Sequence, residues 1–195
     1  MSSHHNPIHC GGWTLVLKIN SLDSTTLRYD SSYWSNDILL NNTDTSLTLN
    51  QNMKNLGFSV MPVNLVKFCM TSTSNCKIEN KVSTSLKTIL NTTSTTKYTR
   101  NDFISWIPTS SSNWTNEPNC NHIGYNISGG SAGGFYGCRF GISMNNENDC
   151  LSNDASIGIG CGTNNFATTD RYSSSGGNQW SPNLNYQYQG WIFIK

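Results

Sequence analysis

Two short apolar runs, far apart in the sequence, constrain this chain most. Near the start, Trp13, Leu15, Leu17 and Ile19 alternate with Thr14, Val16 and Lys18, the period of a strand with two faces. Near the end, Trp191, Ile192, Phe193 and Ile194 follow one another without a polar break, which reads as a strand buried on both faces. The expectation is one closed domain over residues 10–195, beginning and ending in core strands with no tail. Residues 1–9 read as a disordered or tag-like arm, with a metal-binding role for His4, His5 and His9 as the alternative. A chain of 195 residues holds one sizeable domain.

Between these runs the polar residues are mostly Ser, Thr and Asn. The charged content is 12% and the net charge +1, so there is no basic stripe for nucleic acid or an anionic membrane surface. No apolar run approaches the ~20 residues of a membrane span. The seven cysteines form no C-x-x-C pair, which removes zinc-ribbon and thioredoxin readings. With N-x-S/T sequons at Asn41, Asn91, Asn113 and Asn126 they favour an oxidising, secreted or extracellular setting, although the opening MSSHHNPIHC has no leader-like apolar segment. The natural local pairs are Cys69–Cys76 and Cys150–Cys161. Cys120–Cys138 would tie a long loop to a strand, and Cys10 would be free, link two copies of the chain or displace another pairing; sequence alone leaves the connectivity open.

Local patterns add detail. Leu56–Val60 alternates like a strand, Pro62 suggests an edge or bend, and Val63–Met70 reads as a further strand. A short strand is expected around Leu47–Leu49 inside a loop over 36–55. Short helices are expected over Ser83–Leu90 and over Asn101–Ile107, the latter with Asn101 as N-cap and Pro108 as stop. Residues 109–134 and 162–185 read as polar loops of the kind that carry binding. Gly129-Gly130-Ser131-Ala132-Gly133 fits G-x-S-x-G, the nucleophile elbow of serine esterases. It lacks the strand–helix context, and all four histidines precede Ser131.

The stretch Arg139–Gly162 carries the strongest chemistry. Phe140, Ile142 and Met144 alternate with Gly141 and Ser143, then Asn145, Asn146, Glu147, Asn148 and Asp149 give five oxygen-bearing side chains in a row. Calcium takes six to eight oxygens from carboxylates, amides and carbonyls. In an extended loop Asn145, Glu147 and Asp149 converge, with Asp154 close enough to join. The run is not an EF-hand pattern, and an Asx-rich turn with solvated acids explains the composition equally well.

Three segments resemble fibrinogen-like domains and the related intelectins (X-type lectins). GGWTLV after Cys10 resembles their opening strand, and Tyr29-Asp30-Ser31-Ser32-Tyr33-Trp34 the aromatic segment that follows. A strand running into Asn145-Asn146-Glu147, then a cysteine and Ile157-Gly158-Ile159-Gly160, is similar to the intelectin calcium region. The resemblance covers both ends and this block, but not residues 36–134. It implies a disulfide-stapled α+β domain of the fibrinogen C-terminal type, with a mixed or antiparallel sheet, few short helices and long loops. It also implies Ca2+ held by Asn145, Asn146 and Glu147; oxygen chemistry adds Asp154, and the acidic-loop pattern of fibrinogen-like domains overlies Asp149. In intelectins the calcium takes two vicinal sugar hydroxyls between aromatic side chains, and Trp180, Tyr186 and Tyr188 lie in the matching region. The chain departs from that family in having no His after His122 and no Glu after Glu147. The implied function is a calcium-dependent carbohydrate-binding module, not an enzyme, with a glycan or glycoprotein as ligand. The alternatives are a protein-interaction or structural module, assembled into oligomers through Cys10 with calcium only structural, and a serine esterase built on Ser131.

Overall fold

A computed structural model describes residues 9–10, 12–20, 22–23, 25–44, 46–48, 51–107, 116–128, 137–162, 175–179 and 184–195, with 9–10, 175–179 and 184–187 described through their backbone. In chain order the elements are β1 (His9–Cys10), β2 (Trp13–Ile19), a 3-10 turn (Ser32–Trp34), β3 (Met53–Lys54), α1 (Gly57–Val60), β4 (Val63–Met70), β5 (Cys76–Ser83), α2 (Leu86–Asn91), α3 (Arg100–Ile104), β6 (Asn119–Ile127), β7 (Cys138–Asn145), β8 (Ala155–Cys161), β9 (Ser175–Gln179), β10 (Leu184–Gln187) and β11 (Gly190–Ile194).

These strands form two antiparallel sheets. The first has the order β1-β2-β11-β4-β5, with β3 also pairing β2, and the second is the meander β10-β9-β8-β7-β6. The two apolar end runs are therefore neighbours: β11 lies between β2 and β4, and Gly190–Ile194 is buried throughout, as an all-apolar strand requires. Three short helices and mostly antiparallel sheet are compatible with a small α+β domain.

The main core fills the space between the sheets. Phe68 on β4 stacks on Phe140 of β7 at a centroid distance of 4.0 Å, and Tyr125, Phe103 and Trp106 close around Phe140. The first sheet buries its other face as well, through Leu15, Met53, Cys69, Trp191 and Phe193. The strict alternation expected of β2 breaks in its middle. Ile192 pairs Leu17 but Phe193 pairs Leu15, so Val16 is a bulge. The bulge turns Leu15 to the outer cluster while Val16, Leu17 and Ile19 join the main core.

The second sheet is built differently. Gly124, Gly141, Gly158 and Gly176 stand side by side across β6, β7, β8 and β9. At Gly158, with φ +151°, a Cβ would lie 2.2 Å from the Phe140 carbonyl oxygen. At Gly124, with φ +149°, it would lie 2.1 Å from the Ser94 carbonyl oxygen, where the chain crosses at the Ser94–Tyr125 bridge. The flanking rows Ile123–Ile142–Ile157 and Tyr125–Phe140–Ile159 supply most of this sheet's share of the core.

Several expectations are corrected. Leu56–Val60 contains the one-turn helix α1, because Phe58 alone needs burial there while Leu56 and Val60 stay exposed. The helix expected at Ser83 begins at Leu86, capped by the Ser85 hydroxyl, which accepts from the Thr88 N–H. The next helix is capped by Thr99 in a reciprocal box with Asp102, so Asn101 is not the N-cap. Leu47 and Thr48 form no strand; the short strand is Met53–Lys54. Residues 109–134 and 162–185, read as loops, contain β6, β9 and the start of β10. The disulfides are Cys69–Cys76, as expected, together with Cys120–Cys150 and Cys138–Cys161. Cys138 and Cys161 are direct cross-strand partners on β7 and β8, which leaves Cys150 to Cys120 and rules out Cys150–Cys161 and Cys120–Cys138.

Candidate functional site

The oxygen-rich run begins inside a strand and ends outside it. Asn145 is the last residue of β7 and is fully buried, whereas Asn146, Glu147, Asn148, Asp149 and Cys150 are exposed. Asn145 acts on the loop from beneath. Its Nδ2 donates to the carbonyl oxygens of Asp149 at 2.7 Å and Ser152 at 3.1 Å, and its Oδ1 accepts from the Glu147 N–H at 3.3 Å. Its amide oxygen thus accepts one hydrogen bond, and Asn145 shapes the loop through both ends of its amide.

Other contacts fix the loop over residues 146–154. Asn119 on β6 donates from Nδ2 to the Asn146 carbonyl oxygen at 2.9 Å. The Cys120–Cys150 disulfide joins the same strand to the loop. The Asp149 carboxylate accepts from the Leu151 N–H at 2.9 Å, an Asx turn. Asn153 is buried and donates to the Ser143 hydroxyl, and the Asp154 N–H donates to the Met144 carbonyl oxygen at 2.9 Å.

Within this frame two of the five candidate ligands meet. Asp154 is half-buried, and its carboxyl lies beside that of Glu147. Burial first, and then the Glu147 carboxylate, push the Asp154 carboxyl above the usual carboxylate range. Such a pair is relieved by a shared proton or by a divalent cation. Glu147 and Asp154 fit the donor chemistry of calcium, and the exposed oxygens of Asn146 and Asp149 belong to the same short loop. Among the described residues no cluster of three or more His, Cys, Asp or Glu side chains stands ready for a metal, so amide, carbonyl or ligand oxygens would complete the coordination.

The remaining candidates fall elsewhere. Trp180, Asn113 and Ser131 lie outside the described residues, and Tyr186 is described only as backbone of β10. Tyr188 packs half-buried against the main core, the ordinary place of an aromatic beside a core strand. Asn91 and Asn126 are built into a hub around Arg139. That guanidinium donates to Tyr29 O at 2.7 Å, Leu90 O at 3.1 Å, Asn91 Oδ1 at 2.8 Å and Asn126 Oδ1 at 2.9 Å. The Asn91 Nδ2, the atom a glycan would occupy, donates to Trp34 O and Lys87 O at 2.7 Å each. Asn41 is exposed, with its Nδ2 on the Asn52 carbonyl oxygen at 2.8 Å.

Sequence reading missed Asn119 and Asn153 as residues that shape the loop, and it paired Cys120 with Cys138 instead of Cys150. Asn119 and Cys120 sit on a strand with almost no apolar period, NCNHIGYNI. The signal for Asn153 was its position one residue before Asp154, in a loop that must turn back into β8. No protein-family model, no curated protein and no solved structure matches the chain.

Proposed function

We propose that this chain is a calcium-dependent carbohydrate-binding module of a secreted protein, of the fibrinogen-like and intelectin-like kind, without catalysis. The observation that carries the reading is the Glu147–Asp154 carboxyl pair, drawn together on a loop that a disulfide and the buried Asn145 hold in shape. An exposed carboxylate beside a half-buried one attracts a hard divalent cation, and hydroxyl oxygens suit the coordination positions such a loop leaves open. Glu147 and Asp154 are assigned to the cation, with Asn146 and Asp149 as further oxygens. Asn145 is assigned to positioning. The carbohydrate part rests on the segments Gly11–Val16, Tyr29–Trp34 and Asn145–Gly160, which resemble that family. Three disulfides suit an oxidising compartment, and among the described residues no helix is long and apolar enough to cross a membrane.

The test is a calcium titration read by thermal shift, repeated with a panel of simple sugars and followed by glycan-array binding with and without chelator. A rise in Tm with calcium, absent in Glu147→Gln, together with chelator-sensitive glycan binding, is the expected result. A calcium shift with no glycan bound anywhere would instead favour a protein-interaction module, a reading that the bracing of the loop by Asn145 also suits. No calcium effect on Tm would sink the assignment.

A further inference from the structure

The three disulfides differ in what surrounds them. Cys69, Cys138 and Cys161 are fully buried, so two of the bonds have at least one sulfur inside the protein. Cys120–Cys150 has none: Cys150 is exposed and Cys120 half-buried. Thiol–disulfide exchange begins when a thiolate reaches a disulfide sulfur, so access decides which bond is attacked first.

A second feature distinguishes the same bond. Cys120 has φ +50°, a left-handed conformation that a residue with a Cβ adopts only where its surroundings impose it. It sits where the β6–β7 pairing shifts register between Asn119 and His122. A third feature is position: the Cys120 sulfur lies 3.8 Å from the Glu147 carbonyl oxygen, and its partner Cys150 belongs to the loop. Opening the bond removes the covalent tie between β6 and the loop and frees the backbone of Cys120. Cys138–Cys161 still clamps β7 to β8, and Cys69–Cys76 still closes the β4–β5 hairpin.

We propose that Cys120–Cys150 is a thiol-operated latch on the loop over residues 146–154, opened by a dithiol reductant while the other two disulfides stay closed. One thiolate of the dithiol attacks the exposed Cys150 sulfur, forming a mixed disulfide and expelling the Cys120 thiolate. The second thiolate of the dithiol then attacks its own sulfur in that mixed disulfide and releases Cys150. Two electrons pass from the dithiol, which closes to a disulfide, and the two cysteines take up two protons. That the released loop also loses calcium rests on the function proposed above; the release of the loop does not.

The experiment is a graded dithiothreitol titration of the intact protein. Alkylation and peptide mapping locate the opened bond, and a Glu-specific protease reports on the loop by cutting after Glu147. The expected result is that Cys120 and Cys150 are alkylated at a dithiol concentration roughly tenfold below that needed for the other four. Cleavage after Glu147 should rise in step while the β-sheet circular dichroism is kept. A Cys120→Ser/Cys150→Ser variant should show the same cleavage without reductant. The proposal is overturned if another disulfide opens first, if all three open together, or if cleavage after Glu147 stays at the oxidised level once Cys120 and Cys150 are labelled. Thermal shift of the reduced protein with calcium adds a separate arm. Loss of a shift that the oxidised protein shows extends the latch to the metal, whereas no shift in either state rejects the calcium reading alone.

Discussion

The two sheets reach stability by opposite routes. The first gathers strands from distant parts of the sequence, with β2 and β4 on either side of β11, and covers both faces with large apolar side chains. The second pairs each strand with its sequence neighbour from β6 to β10 and carries a row of glycines across four strands. Where side chains fill both faces, packing fixes the register, with one disulfide added across β4 and β5. The glycine row itself offers packing nothing to hold, so the flanking isoleucine and aromatic rows carry this sheet's packing, and two of the three disulfides lie in the second sheet or join it to its loop. The candidate site sits on the stapled sheet. The difference teaches that this protein places its oxygen-rich loop where a disulfide and amide hydrogen bonds, not apolar surface, set the geometry.

The largest effect should come from the residue both sheets share. Phe140→Ala should cost about 3–5 kcal/mol in urea unfolding, because it empties the space between Phe68, Tyr125 and Phe103. One cooperative transition is expected in wild type and variant alike, and two resolved transitions would break the picture of a common core. Next come the staples. Replacing Cys138 and Cys161, which close 23 residues, should cost about 3 kcal/mol, against about 2 kcal/mol for Cys69 and Cys76, which close 7. Equal losses by denaturant titration would remove the distinction between the sheets. Gly158→Ala should cost about 1–3 kcal/mol, since its Cβ meets the Phe140 carbonyl. An unchanged midpoint would mean the glycine row is not needed for close approach.

The smallest effect concerns Asp154. Its carboxyl binds a proton more tightly in the folded state than its ordinary value of 3.8 implies, because burial and Glu147 disfavour the charge. The stability from the protonated form is therefore full below that value and is lost as pH rises through the raised one. Asp154→Asn should be slightly more stable than wild type at neutral pH without calcium, by less than about 1 kcal/mol. Saturating calcium should reverse the order, as read by thermal shift over a pH series; the same order with and without calcium would take Asp154 out of the metal site.

What could be read from the sequence followed apolar periodicity. Strands β4, β7 and β11 stand where their side chains put them, because burial on at least one face imposes the period. The same rule misled at β2, where the bulge at Val16 exchanges the faces halfway along, and at Leu56–Val60, where one buried Phe suffices. It was silent for β6, β9 and β10, whose Asn, Gly, Ser and Gln carry no period. The loop over 146–154 was found from its oxygens. Its internal order was not, because the partners of Asn145 are backbone carbonyls that only the fold brings within reach. Two of the three disulfides follow cross-strand register rather than nearness in sequence, and the two coincide only in the β4–β5 hairpin; the third ties β6 to a loop.

The position of β11 has a consequence for how the protein is made. The strand in the middle of the first sheet is the last to leave the ribosome of the fifteen elements described. Until residues 190–194 emerge, β2 and β4 each present an unsatisfied hydrogen-bonding edge and an uncovered apolar face, the combination that recruits chaperones or other nascent chains. The first sheet therefore gains its centre only when β11 emerges, after every other strand it joins.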